Sequence, residues 1–103
     1  MDISAASFRD KRIKAFSVVY DWEAECHSAE ISIQSADNVV HRYRINRLSE
    51  INVSDDFGSR EIAFCSLILS PGRVYLSFDP HTEGVESDRD NFIFVGSEIV
   101  RVD

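Results

Sequence analysis

Hydrophobic and polar residues alternate along most of this chain, which is the pattern of strands buried on one face. In residues 25–34, the apolar side chains of Ala29, Ile31 and Ile33 alternate with polar ones. Residues 39–47 alternate in the same way. The Asp and Asn residues between the two runs favour a turn, because these side chains bond readily to their own backbone. The two runs are therefore predicted to form a β-hairpin.

Six further segments show strand-like patterns, namely residues 13–20, 48–53, 61–69, 73–78, 92–95 and 99–102. Residues 61–69 are apolar on both faces, so this segment is predicted to be a central strand covered on both sides. Pro71 and Gly72 predict a tight turn and antiparallel pairing with the next strand. Seven or eight short strands predict an all-β fold, either an antiparallel sandwich or a barrel-like sheet, with room for one short N-terminal helix within residues 5–11.

A chain of 103 residues has the size of one ordinary domain, so residues 1–103 are predicted to form a single β domain. Few Gly and Pro residues and ample apolar content exclude the disordered and collagen-like classes. No apolar run approaches the roughly 18 residues that a membrane helix requires. Cys26 and Cys65 show no metal-binding spacing, and residues 1–10 lack the pattern of a secretion signal. Free thiols and a cytoplasmic location are therefore expected.

The charge of the chain is unevenly distributed. Residues 1–47 contain seven basic and seven acidic side chains, whereas residues 48–103 contain four basic and eleven acidic ones. The second half therefore carries the whole formal net charge of −7. This balance argues against binding to nucleic acid or to an anionic membrane, and it favours a basic protein as the partner of the acidic half.

The segment 79–91 is the most distinctive part of the sequence, because five carboxylates fall within its first twelve residues. When the segment is aligned with a calcium-binding loop, Gly84 falls at the position where that loop has its glycine. His81 and Glu86, however, fall at positions where the loop needs other residue types. No metal site is therefore predicted, and a solvated or partner-binding loop is favoured. The residues predicted to contact a partner are Asp55, Asp56, Asp79, Glu83, Glu86, Asp88 and Asp90.

Residues that could carry catalysis are scattered rather than grouped. His27, His41 and His81 belong to three different segments, and no nucleophile motif places a serine beside a histidine. The four glycines do not form a phosphate-binding loop. The sequence therefore predicts a protein that is not an enzyme and that uses no cofactor.

Aromatic residues support a second interpretation, in which the chain is a small-molecule or carbohydrate-binding β domain that uses Tyr20, Trp22 and Tyr43. Trp22 lies at the junction of the first two predicted strands. An exposed Trp22 would favour a binding function, because tryptophan often anchors interfaces. A homo-oligomer formed by pairing of edge strands is a third interpretation.

The C-terminal part of the chain resembles small uncharacterised bacterial all-β proteins. The resemblance is carried by the apolar run at 74–78 with Asp79 and Pro80, by residues 90–94, and by Glu98, Ile99 and Val100. It covers only residues 61–102. Some proteins of this kind look like immunity proteins of bacterial toxin systems, so the resemblance implies protein binding without catalysis.

Overall fold

The computed structural model describes residues 3–53 and 61–102, which form eight strands and one short 3-10 turn at Ala5–Ser7. The strands are β1 (Arg12–Asp21), β2 (Cys26–Gln34), β3 (Val40–Leu48), β4 (Glu50–Asn52), β5 (Ser66–Ser70), β6 (Arg73–Asp79), β7 (Asn91–Gly96) and β8 (Glu98–Arg101). The predicted all-β class is confirmed, and the predicted N-terminal helix is a single 3-10 turn.

The strands form two antiparallel sheets of four. The first has the order β1-β2-β3-β8 and the second has the order β4-β7-β6-β5. The predicted hairpin is the pair β2–β3, with Ile31 opposite Tyr43. Of the two arrangements that the sequence left open, the described strands form two separate sheets rather than a closed barrel.

The core lies between the two sheets and follows from the alternation in the sequence. The first sheet contributes apolar side chains of β2 and β3, and the second contributes those of β6 and β7. The ring of Phe8, which precedes β1, lies 4.9 Å from the ring of Tyr43 and 5.5 Å from that of Phe78. Burying an aliphatic or aromatic side chain of this size stabilises a fold by about 1.5–3 kcal/mol. The core residues include Ala29, Ile31, Ile33, Tyr43, Ile45, Val74, Leu76, Phe78 and Phe94.

The prediction of a central strand at 61–69 is wrong. The strand begins only at Ser66, and β5 lies at the edge of the second sheet. The preceding backbone bonds instead to the segment that leads into β1, since the N–H of Ile62 donates to the carbonyl of Lys11 and the carbonyl of Ile62 accepts from the N–H of Asp10. The predicted turn at Pro71 and Gly72 and the antiparallel pairing of β5 with β6 are confirmed.

The chain crosses from the second sheet to the first at Gly96, where β7 ends and β8 follows. A Cβ atom at this position would lie 2.4 Å from Cγ2 of Ile45 and 2.7 Å from the carbonyl oxygen of Asn46. The next N–H, that of Ser97, donates to the same Asn46 carbonyl at 2.9 Å. Only glycine allows the backbones of β3 and β7 to approach this closely.

Candidate functional site

The acidic segment found in the sequence is the connection between β6 and β7, here called the acidic loop (residues 80–90). Asp90 organises this loop from within, because only 6% of its surface is exposed. Its carboxylate accepts hydrogen bonds from the hydroxyl of Tyr75 at 2.5 Å, the N–H of His81 at 2.7 Å and the N–H of Ser87 at 3.0 Å. Both ends of the loop are therefore fixed to one buried carboxylate, and β6 supplies the third donor.

Tyr75 is a hydrogen-bond partner of Asp90 that the sequence pattern did not reveal. Its side chain is buried on the outer side of the second sheet, in a small cluster with Ile93 and Val95. Burial raises the pKa of Tyr75, and the neighbouring Asp90 carboxylate raises this pKa further. The tyrosine therefore stays protonated and remains a hydrogen-bond donor to Asp90.

Glu83 joins the acidic loop to the residue that precedes β5 and to the N-terminal segment. Its carboxylate accepts a hydrogen bond from the N–H of Cys65 at 2.9 Å and another from Nε of Arg9 at 3.1 Å. These contacts lower the pKa of Glu83, with the backbone hydrogen bond of Cys65 as the main cause. Beside it, the N–H of Gly84 donates to the hydroxyl of Ser66 at 2.8 Å. This part of the loop is consequently bonded to the scaffold through charged and neutral groups.

Glu86 forms the third attachment, a two-bond ion pair with Arg73 at the start of β6. The two N–O distances are 2.9 Å and 2.7 Å, and the guanidinium carbon lies 5.7 Å from the centre of the Tyr75 ring. The hydrogen bonds from Arg73 lower the pKa of Glu86. Both side chains are partly exposed, so the pair orders the surface more than it stabilises the fold.

The seven predicted partner-binding residues thus differ in their burial and in their ion pairs. Asp90 is buried, and Glu83 and Glu86 form ion pairs. Asp79 and Asp88 are exposed and form no ion pair with the described residues. Asp55 and Asp56 lie outside the described residues.

The arginines that pair with the loop could not have been found from local spacing. Arg9 is 74 residues away from Glu83 in the sequence, and Arg73 is 13 residues away from Glu86. Across residues 3–53 and 61–102, no group of three or more His, Cys, Asp or Glu side chains is placed to hold a metal ion.

A second exposed feature is the end of the β1–β2 hairpin. Trp22 is 83% exposed, and its ring meets that of Tyr20 edge-on at 4.6 Å. The turn below it is fixed by Asp21, whose carboxylate accepts hydrogen bonds from the N–H groups of Glu23 and Ala24. An exposed indole on a fixed turn is a typical anchor for a binding partner.

The apolar surface continues from Trp22 along β1. Phe16, Val18 and Tyr20 are 39%, 40% and 36% exposed, although they pair with Ile31, Ala29 and His27 on the face of β2 that points to the core. The second sheet therefore leaves this face of β1 partly uncovered. Tyr43, the third aromatic predicted for a ligand site, is buried against Phe8 and lies apart from this surface.

No family model matches the chain, and neither a curated protein nor a solved structure was found to match it. The resemblance to immunity proteins therefore stays a prediction. Along the described residues, no helix has the length and apolar content needed to cross a membrane.

Proposed function

We propose that this protein is a non-enzymatic binding protein whose acidic loop contacts a basic partner protein. The observation that supports this proposal best is the fixation of the loop by Asp90, which bonds to the backbone at both ends of the loop. A loop that is already ordered loses little conformational freedom on binding, which favours affinity. Asp79 and Asp88 then provide exposed carboxylates for cations of the partner.

The kind of partner follows from charge. With a formal net charge of −7, the protein attracts a basic partner over a distance and accelerates the encounter more than it strengthens the final complex. An immunity-like inhibitor of a basic bacterial toxin would act in this way. A reducing, cytoplasmic location belongs to the same proposal, because Cys26 and Cys65 are free thiols.

The proposal is tested by a double substitution in the acidic loop region and a control of equal charge. The immobilised protein captures proteins from lysate of the source organism at low salt, and a salt step releases them for identification. In the Asp79→Asn/Asp88→Asn variant, we expect recovery of a basic partner to fall at least tenfold, because the two exposed carboxylates are lost. The expected result for wild-type protein is release of one basic protein in stoichiometric amount.

The control variant is Glu23→Gln/Glu25→Gln, which removes two exposed carboxylates of the β1–β2 turn and changes the net charge by the same amount. It should retain most of the binding. If both double variants lose binding equally, general charge rather than the loop is responsible. If Asp79→Asn/Asp88→Asn binds as wild type does, the loop proposal is wrong.

A second candidate function, binding of a carbohydrate or small molecule, is favoured by the exposed pair of Trp22 and Tyr20. Such rings can stack on the apolar face of a ligand. Trp22 is the only tryptophan, so its fluorescence reports directly on this site. Saturable change in that fluorescence with a panel of sugars, abolished by Tyr20→Ala, would support this candidate. An unchanged spectrum across the panel would exclude the sugars tested.

A further inference from the structure

Strand β1 is an unusually open edge of the first sheet. It is ten residues long and pairs on one side with β2. On its other side, the only described residue that forms a bridge with it is Glu61, opposite Arg12 at the very start of the strand. From Ile13 onward, alternate backbone N–H and C=O groups therefore face outward without a strand partner among the described residues. Such an edge is a template for pairing with another strand.

Between Ile13 and Tyr20, the usual protection of an edge strand is limited to one position of β1. Lys14 is the single charged residue between Ile13 and Tyr20, and it is also the extra residue of a β-bulge, since Ile13 and Ala15 pair with consecutive residues of β2. Charges and bulges both discourage pairing between edges. Residues 15–20 have neither and are rich in β-branched and aromatic side chains, which favours strand pairing.

We propose that this edge pairs with β1 of a second copy of the chain, antiparallel and about a two-fold axis at Ser17. This dimer goes beyond the proposed binding function and does not depend on it. In this register, Ser17 lies opposite Ser17 of the second copy, Phe16 lies opposite Val18, and Ala15 lies opposite Val19. Each pair joins residues on the same face of the sheet, as antiparallel pairing requires.

The bulge fits the same register. Because Lys14 is the extra residue, Ile13 comes opposite Tyr20 of the second copy, and both side chains belong to the inner face. The inner faces of the two β1 strands then form one continuous apolar surface from Phe16, Val18 and Tyr20 of each copy. Pairing covers part of the area that these side chains expose in one chain.

Charge complementarity indicates a second copy rather than an unrelated strand. The strand begins with basic residues, Arg12 and Lys14, and acidic residues, Asp21 and Glu23, lie at and just beyond its end. Arg12 also forms an ion pair with Glu61 of its own chain, so Lys14 is the main basic group that this end offers to a second copy. Antiparallel self-pairing brings the basic start of each copy beside the acidic end of the other, twice in one interface. A two-fold dimer uses the same surface on both subunits, so this arrangement satisfies both ends together.

The first test measures the mass of the full chain in solution by size-exclusion chromatography with light scattering. The measurement is made near physiological salt, because repulsion between the two acidic chains is then screened beyond about 8 Å. The mass should rise toward twice the monomer mass of 11.7 kDa as the protein concentration increases. A constant monomer mass up to near-millimolar concentration would overturn the proposal.

The second test places a charge on the two-fold axis. Ser17→Lys sets two lysines opposite each other in the dimer, whereas within one chain the new lysine lies opposite Glu30 of β2, which favours the fold. We expect the dissociation constant of the dimer to rise at least tenfold while the circular dichroism spectrum is retained. Ser17→Thr is the matched control and should stay dimeric. Equal dimerisation of Ser17→Lys and wild type would contradict the register.

The third test uses cross-linking, which does not depend on a loss of association. In a Cys26→Ser background, the variant Ser17→Cys should form a disulfide-linked dimer rapidly under mild oxidation, because the two thiols face each other at the axis. Ser70→Cys, at the exposed end of β5 in the other sheet, is the control and should cross-link far more slowly. Equal rates for the two variants would overturn the proposed two-fold axis.

Discussion

The acidic loop and strand β1 use their side chains in opposite ways. In the loop, Asp90, Glu83 and Glu86 accept hydrogen bonds from groups of the same chain. Along β1, apolar side chains that point to the core side remain partly exposed, and Trp22 beyond the end of the strand is almost fully exposed. Three carboxylates of the segment with the densest charge are thus bonded within the fold, whereas the more hydrophobic segment leaves apolar side chains partly exposed.

This difference shows why charge density alone does not define a binding surface. A carboxylate that accepts three hydrogen bonds from its own chain has little capacity left for a partner. The apolar edge of β1 has unused backbone hydrogen-bonding groups and exposed area together. The acidic loop is therefore proposed to bind through Asp88 together with the adjoining Asp79 of β6, the exposed carboxylates that form no ion pair with the described residues. Strand β1 is proposed to bind through its edge from Ile13 onward.

The largest expected effect concerns the buried carboxylate of the loop. Asp90→Ala leaves the hydroxyl of Tyr75 and the N–H groups of His81 and Ser87 without their acceptor, and we expect it to lower the free energy of unfolding by about 3 kcal/mol. Urea denaturation gives this value. Asp88→Ala, two residues earlier and exposed, should change it by less than about 0.5 kcal/mol. Equal effects would show that the loop is not organised by Asp90.

A smaller effect is expected when only one donor to that carboxylate is removed. Tyr75→Phe deletes the hydroxyl that bonds to Asp90 and keeps the buried ring, so the free energy of unfolding should fall by about 1.5 kcal/mol. Tyr20→Phe is the control on β1, where the ring is partly exposed, and should be nearly neutral. A neutral Tyr75→Phe would contradict the role given to this hydrogen bond.

The two ion-paired glutamates predict a dependence of stability on pH. Their folded-state pKa values lie below the ordinary 4.5, so their contribution is complete above that pH and is lost as the pH falls through the folded values. The Glu83→Gln/Glu86→Gln variant should therefore lose less stability than wild type between about pH 6 and about pH 3. Urea midpoints at the two pH values measure the difference. A control variant, Glu23→Gln/Glu25→Gln, should follow wild type more closely.

The smallest effect on stability is expected at the hairpin. Trp22→Ala removes a side chain that is 83% exposed, so the free energy of unfolding should change by no more than about 0.5 kcal/mol. Thermal or urea unfolding checks this expectation. A loss comparable to that of Asp90→Ala would mean that Trp22 stabilises the fold, and the contrast between the two regions would disappear.

Much of the fold could be predicted because alternation is a local signal. The pairing of β2 with β3 follows from apolar residues at every second position and from the polar turn between them. The prediction of a central strand at 61–69 was wrong because the apolar residues of this segment have two different environments. Ile62 fills the core between the sheets, whereas Phe64 is exposed at 61% and lies outside any strand.

The roles of the acidic residues could not be predicted for a related reason. Composition identified the acidic loop, but whether a carboxylate in it is free depends on donors that the fold brings from distant positions, such as Arg9 for Glu83. In the same way, the openness of β1 depends on which strands pair with it. Sequence alternation alone could not decide that it lies at an edge.

Amide hydrogen exchange followed by NMR at low and high protein concentration tests the central contrast most directly. The N–H groups of His81 and Ser87, bonded to Asp90, should be protected at both concentrations. The alternate N–H groups of residues 15–20 that face away from β2 should exchange rapidly at low concentration and become protected as β1 pairs with a second copy. Rapid exchange in the loop, or outward-facing β1 amides unprotected at high concentration, would contradict the account.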